Sequence, residues 1–335
     1  MRKILSLLAM TIMYSVVSGQ QGNTYLLKPD RVFDGGTVHS DWVVLVHDNR
    51  IEEAGPMKFK LPAGAIIIEL PGCTLLPGLI EGHSHLFLHP YNETPWDDQV
   101  LKESRAERTA RAVMHAKATL LAGFTTVRDL GTEGAMYDDA GLKTAIQKGV
   151  VPGPRMICAT RAIVARGSYG PHSASGDVTL PQGAAEVGNV DEMMNEVRTQ
   201  ISRGADVIKI YADYRWGLNG EAAATFSTEE IATAVKIAAA GGRKVTVHAT
   251  TAEGMTRAIS AGVSCIEHGD DGTAEVFRLM KEKGVALCPT LAAGDAVLQY
   301  HGWKKGQDPE PPSIVEKRKS FQAALAAGVT ICMGG

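Results

Sequence analysis

The sequence lacks several features by which whole function classes are recognised. It has no CxxC pair, and its five cysteines, Cys73, Cys158, Cys265, Cys288 and Cys332, are odd in number. Most of them sit inside apolar runs such as Met156-Ile157-Cys158 and Ala286-Leu287-Cys288. They read as small buried hydrophobes, and no disulfide framework is expected. There is no basic stripe: 34 Lys and Arg stand against 37 Asp and Glu for a formal charge of −3, which argues against a nucleic-acid partner. No Gly-rich phosphate fingerprint follows the first barrel strand, which speaks against a dinucleotide-binding open sheet.

What is present is an ordinary globular composition, with 44% apolar and 21% charged residues over 335 positions, long enough to bury a large core. The 36 glycines fall singly between apolar runs, as at repeated strand–helix junctions. Residues 1–19 have the form of a secretory signal peptide. Arg2 and Lys3 lead, residues 4–17 are almost uninterrupted apolar, and Val17-Ser18-Gly19 offers slim residues to a signal peptidase. That run is too short to span a bilayer. The expectation is a secreted or periplasmic protein with no stable membrane anchor.

Residues 20–73 carry short strand signals and turns: Trp42-Val43-Val44-Leu45-Val46, a turn at His47-Asp48-Asn49-Arg50, and Ala65-Ile66-Ile67-Ile68-Glu69-Leu70. No helical period is visible, so this stretch is read as a small β module. From residue 74 to 335 the rhythm becomes strand, loop, helix. Strands are predicted at 75–80, 125–128, 155–159, 207–211, 244–247, 264–267, 285–288 and 330–333, and helices at 105–121, 191–202, 228–240, 252–260, 274–283 and 315–326. Nearly continuous apolar strands alternating with amphipathic helices imply a covered parallel sheet, and eight is the number that closes a (β/α)8 TIM barrel.

Active sites of such barrels lie at the C-terminal strand ends. Gly82-His83-Ser84-His85 follows the first strand, and in extended backbone His83 and His85 point the same way. His248 and His268 end two successive strands. Lys209 lies within Val207-Ile208-Lys209-Ile210-Tyr211, where a charged amine is costly; burial lowers its pKa, and the neutral amine can add CO2 to give a carbamate that bridges two divalent ions. A barrel-interior salt bridge is the plainer alternative for Lys209, and a hydrogen-bonded core residue is the plainer one for any single histidine. Taken together, the five read as metal ligands.

The ordered set Leu76-Pro77-Gly78-Leu79-Ile80-Glu81-Gly82-His83-Ser84-His85, Val207-Ile208-Lys209-Ile210, Val247-His248 and Ile266-Glu267-His268-Gly269 resembles the amidohydrolase superfamily, nearest to its Xaa-Pro dipeptidases, ochratoxin-degrading amidases and imidazolonepropionase-like members. The resemblance implies two divalent ions, usually zinc, with His83 and His85 on the more buried ion, His248 and His268 on the more exposed one, and carbamylated Lys209 between them. It implies a hydroxide held by the ions as nucleophile on an amide or dipeptide. It also implies a β-sandwich completed by C-terminal strands that are missing here, and an aspartate at the end of strand eight. Strand eight reads Thr330-Ile331-Cys332-Met333-Gly334-Gly335 and stops, so that aspartate is expected just beyond Gly335, with a C-terminally truncated, inactive chain. Tyr211 and His172 are candidate substrate residues, Arg128-Asp129 reads as a structural ion pair near the site, and His89 as a loop residue. Related proteins assemble into rings or octamers, so a homo-oligomer is expected. A deaminase or cyclic-imide hydrolase, a lactonase and a non-catalytic metal-binding paralogue stay open as alternatives. Lys209 weighs against the first, because superfamily deaminases generally work without a bridging lysine.

Overall fold

The computed structural model describes residues 23–171 and 175–335. The predicted signal peptide, residues 1–19, and His172 lie outside the described residues. The chain divides into two compact units between Pro77 and Gly78, a few residues beyond the change of rhythm at 73/74. The apolar run 75–80 is not one strand as expected. Pro77 has no N–H to give to a ladder, and one strand ends at Leu75 before another begins at Leu79.

The first unit contains β1 (Thr24–Phe33), β2 (Val38–His39), β3 (Trp42–His47), β4 (Arg50–Pro56) and β5 (Ile66–Leu75). Among the described residues they make one sheet, antiparallel in the order β2-β1-β3-β4, with β5 parallel to β1. The β3–β4 hairpin turns on Asp48-Asn49, with Asp48 at a left-handed φ of 52° that Asn and Asp tolerate. Leu26, Val43 and Leu45 pack with Phe59 and Leu61 to form its small core.

The second unit is a mixed α/β fold. Its elements are β6 (Leu79–Ser84), α1 (Trp96–Leu101), α2 (Arg105–Leu121), β7 (Phe124–Asp129), α3 (Asp138–Gln147), β8 (Arg155–Cys158), β9 (Ile163–Ala165), β10 (Ala185–Val187), α4 (Val190–Ser202), β11 (Val207–Tyr211), β12 (Asp213–Arg215), β13 (Ala222–Ala224), α5 (Thr228–Ala240), β14 (Lys244–Ala249), α6 (Ala252–Ser260), β15 (Cys265–His268), α7 (Ala274–Lys283), β16 (Ala286–Cys288), α8 (Leu291–Tyr300) and α9 (Pro312–Ala326). Parallel pairing gives the orders β6-β7-β8 and β10-β9-β11-β14-β15-β16. The amide of Asp206, just before β11, donates to the Cys158 carbonyl at the end of β8. On the far side, residues 330–333 run between β16 and β6: Cys332 N–H donates to Leu287 O (2.8 Å) and Gly82 N–H to Met333 O (2.9 Å).

Helix starts follow the side chains that can accept from orphan amides. Ser227 and Glu230 form a reciprocal capping box on α5, and Thr251 and Thr273 cap α6 and α7. α7 stops at Gly284, which takes φ 68°. The helices cover the strands through Val197, Ile231, Met255 and Phe277, which meet Ile208, Ile210, Val247 and Ile266. Since alternate residues of a strand face opposite ways, Ile208 and Ile210 on that layer put Val207, Lys209 and Tyr211 on the other, where Val207 packs with Leu130 and Ala159.

The 330–333 segment pairs so closely with β6 that a Cβ on Gly82 would land on the Cys332 sulfur and the Met333 carbonyl oxygen. Gly82→Ala is expected to lower unfolding stability by roughly 1–3 kcal/mol through overpacking. Gly55→Ala, whose Cβ would meet open space, should be close to neutral. Urea denaturation of both variants checks this, and equal effects would argue against the pairing.

Candidate metal centre

Parallel strands deliver their C-terminal ends to one edge, and the chemistry collects there. His83 lies in β6 and His85 one residue past it; Lys209 and Tyr211 are in β11, His248 in β14 and His268 at the end of β15. In register, Lys209 sits beside Thr246, Tyr211 beside His248, and His248 beside Glu267. The rings make a continuous cluster: His85 to His83 at 5.2 Å between centroids, His83 to His268 at 4.8 Å, His268 to His248 at 4.6 Å, and His248 stacked on Tyr211 at 4.6 Å. The Lys209 amine is 5.5 Å from the Tyr211 ring centre. All five predicted ligand positions and Tyr211 therefore meet in one place.

Hydrogen bonding assigns the free nitrogens. His83 Nδ1 faces Glu267 Oε2 at 2.9 Å, and His85 Nδ1 faces the Gly131 carbonyl at 2.9 Å. Each Nδ1 must donate, because its partner can only accept, so each Nε2 keeps a lone pair. These two Nε2 atoms face one another at 3.3 Å. Two lone pairs so close repel in a dry interior, and a shared cation turns the repulsion into coordination. His268 Nδ1 pairs with the Thr290 hydroxyl at 2.7 Å, and His248 Nε2 lies 3.7 Å from Asp213, which leaves one nitrogen of each ring uncommitted. The donor set thus fits a divalent metal, with hydrogen bonds orienting the rings of His83, His85 and His268.

Burial sets the protonation. Desolvation, then the charge of Lys209, drives His83 well below its ordinary pKa and His248 down to about 3. His268 is driven far down by burial and by its histidine neighbours, and His85 is lowered by burial. Lys209, 1% exposed, is brought to about 8 by burial, with Arg128 helping and Glu267 opposing. Neutral imidazoles and a partly neutral amine at neutral pH are the forms that bind metal or CO2.

Residues outside the predicted ligand set build the support. Glu267, wholly buried, takes hydrogen bonds from His83, from Arg128 (2.8 Å) and from the Thr246 hydroxyl. Arg128 also donates to the Gly82 carbonyl (2.6 Å). An Arg128–Asp129 ion pair is thus not what forms. Adjacent strand residues face opposite ways, and Asp129 instead accepts from the Leu86 and Gly131 amides. Asp213 accepts from the Thr250 and Thr251 amides, and buried Glu133 from Tyr169 (2.5 Å) and Trp96 (3.1 Å), with the Tyr211 hydroxyl at 3.5 Å. His89 is buried between Glu93 and Glu103. Glu267 was discoverable by the signal that picks out Lys209, a charge inside an apolar strand. His83, Glu267 and Cys288 bring ligand atoms within 4.8 Å of one another. Glu267 is already spent on three donors, though, and the Cys332 hydrogen bond and burial push the Cys288 thiol up, so the imidazole set is the better ligand group. Glu133, His268 and Thr290 all hold left-handed φ of 49°, 74° and 45°, strain of the kind that concentrates at functional sites.

The sequence profile of the amidohydrolase family matches residues 74–334. The chain belongs to the amidohydrolase family. Among curated relatives, the ochratoxinase of Aspergillus niger is 30% identical over 288 residues, covering 78% of this chain and 57% of that protein. This chain thus spans just over half the length of such relatives. A crystal structure of a prolidase complexed with N-methylphosphonate-L-proline superposes with a TM-score of 0.80 at 29% identity, covering 93% of this chain and 78% of that one. A Xaa-Pro dipeptidase with methionine bound in its active site gives 0.77 and 29%, covering 93% and 79%.

For this amidohydrolase-family chain the lowered histidine pKa values translate into stability. An imidazole held at about 3 when folded and near 6.5 when unfolded leaves the unfolded state binding more protons across that window, so stability falls as pH drops through it. In chelator-treated protein, His248 alone should remove roughly 3 kcal/mol between pH 6.5 and 4. Urea unfolding across that range should show the slope, and His248→Gln should reduce it, the other buried histidines keeping the remainder. An unchanged slope would mean that His248 is not held neutral by the fold.

Proposed function

We propose that this chain is the catalytic unit of an exported, metal-dependent hydrolase that cleaves the amide bond of a dipeptide or an N-acyl amino acid. What carries the reading is the convergence of His83, His85, Lys209, His248 and His268 at the C-terminal strand ends of the two parallel sheets, with ring nitrogens of His83 and His85 facing at 3.3 Å. The family match and the likeness to prolidase, dipeptidase and ochratoxinase support it. The proposal includes a closed (β/α)8 barrel, supported by the hydrogen bonds from residues 330–333 to Leu287 and Gly82, and a β-sandwich built on the sheet of residues 24–75.

The residues would hold two divalent ions, zinc by preference: His83 and His85 on one, His248 and His268 on the other, and Lys209 as a carbamate between them. When bound, such ions acidify water near neutral pH and polarise a scissile carbonyl. The chain's own residues do the rest. Glu267 and Gly131 hold the first two rings in their metal-accepting tautomer, Thr290 orients His268, and burial keeps the Lys209 amine reactive toward CO2. Tyr211, stacked on His248, is placed to touch the substrate. The family resemblance calls for a proton-handling aspartate at the end of strand eight; Gly334 packs against His83 and Cys288, which supports reading residues 330–335 as that strand. No helix among the described residues is long and apolar enough to cross a membrane.

Metal analysis after zinc loading should give two ions per chain, falling to one or none in His83→Ala and His248→Ala. In bicarbonate labelled with carbon-13, a carbamate resonance should appear and be missing in Lys209→Met. A chain that binds no divalent ion, with no carbamate signal, would overturn the reading. Amide hydrolysis by protein carrying the aspartate should vanish with chelation and return with zinc.

A further inference from the structure

The His248 and His268 side of the centre opens into a cavity of about 720 Å³, a size suited to a small organic substrate. Its charges do not all cancel. Lys317 is paired with Asp270 and also donates to the His268 carbonyl (2.8 Å), and Glu316 is paired with Lys319 at 2.7 Å. Two lining charges remain, one of each sign: Arg215, at the end of β12, and Asp271, after β15. Among the described residues neither side chain forms an ion pair or a hydrogen bond. Burial and neighbouring Asp270 raise the Asp271 carboxyl, with Glu316 adding to this and Lys317 opposing it. A cation arriving beside Asp271 would relieve that repulsion. Apolar Val297 and Leu298 of α8 line the same space.

One free cation and one free anion facing a peptide-sized cavity match a ligand that carries one charge of each sign. We propose that Arg215 and Asp271 select a zwitterionic dipeptide, Arg215 receiving its carboxylate and Asp271 its ammonium, with the peptide bond turned toward His248 and His268 and a side chain lying on Val297 and Leu298. The inference rests on the hydrolase reading for what happens to that bond, but recognition needs only the cavity. It separates free dipeptides from N-acyl amino acids, which bring a carboxylate and no ammonium.

Three dipeptide pools of matched composition test it: unblocked, N-acetylated, and C-terminally amidated. Each is incubated with the protein, chelated and zinc-loaded, and retained peptides are counted by mass spectrometry after rapid gel filtration. The unblocked pool should be retained roughly tenfold better than either blocked pool, the selectivity expected of charge-assisted hydrogen bonds. Arg215→Gln should erase discrimination against the amidated pool only, and Asp271→Asn against the acetylated pool only. Both residues sit at an open cavity, so neither exchange threatens the fold. Equal retention of all pools, retention of none, or wild-type ratios in both variants would overturn the assignment. Turnover is scored separately on protein carrying the strand-eight aspartate. Selective retention without cleavage of any pool sinks the hydrolase reading and leaves the charge pair standing, whereas cleavage without selectivity does the opposite.

Discussion

A single buried carboxylate organises this molecule's centre. Glu267 has no exposed surface and lies among Arg128, Lys209 and the imidazoles of His83, His85 and His248. It binds three strands to its own, through His83 of β6, Arg128 of β7 and Thr246 of β14. A charge this deep is tolerable only when its hydrogen-bonding capacity is filled. Arg128 is equally dependent on it, because losing either partner would strand the other in a dry interior. The edge where strands from both sheets meet is therefore held by a charge network as well as by packing.

The same carboxylate decides what the imidazoles can do. By accepting from His83 Nδ1, it turns Nε2 outward as a lone pair, and the Gly131 carbonyl does the same for His85. Desolvation then keeps the rings uncharged. The cluster is prepared in advance: its protons are removed, its rotors are pinned, and part of its backbone is strained at His268 and Thr290. Preparation of this kind costs folding stability and repays it in affinity for a cation, since the ligand need not reorganise the site on arrival. The amidohydrolase family assignment and this geometry point the same way.

Much of the molecule was legible before folding because the signals are local. Helix α2 falls at 105–121 as read, and the strand around Lys209 at 207–211. Helices α1, α3 and α8 escaped notice for identifiable reasons. The first is six residues long, and the other two carry internal glycines, Gly141 and Gly294, that weaken a helical pattern. In the first unit β1 and β5 pair although some forty residues separate their partners in sequence, a contact that no periodicity reveals. Arg128 was paired with the wrong carboxylate because sequence adjacency suggested Asp129, whereas pleating separates neighbours and brings together residues 139 positions apart.

By itself the sequence determined the alternation of elements, the strand ends bearing histidine, and the anomaly of Lys209 in an apolar strand, all of which follow from residue type and short-range period. Only the tertiary structure decided that those histidines share one point, that Glu267 and Arg128 pair, and that Arg215 and Asp271 are left over at the cavity. Hydrogen-bond partners and desolvation are properties of the space around a side chain, and that space is assembled from strands distant in the chain.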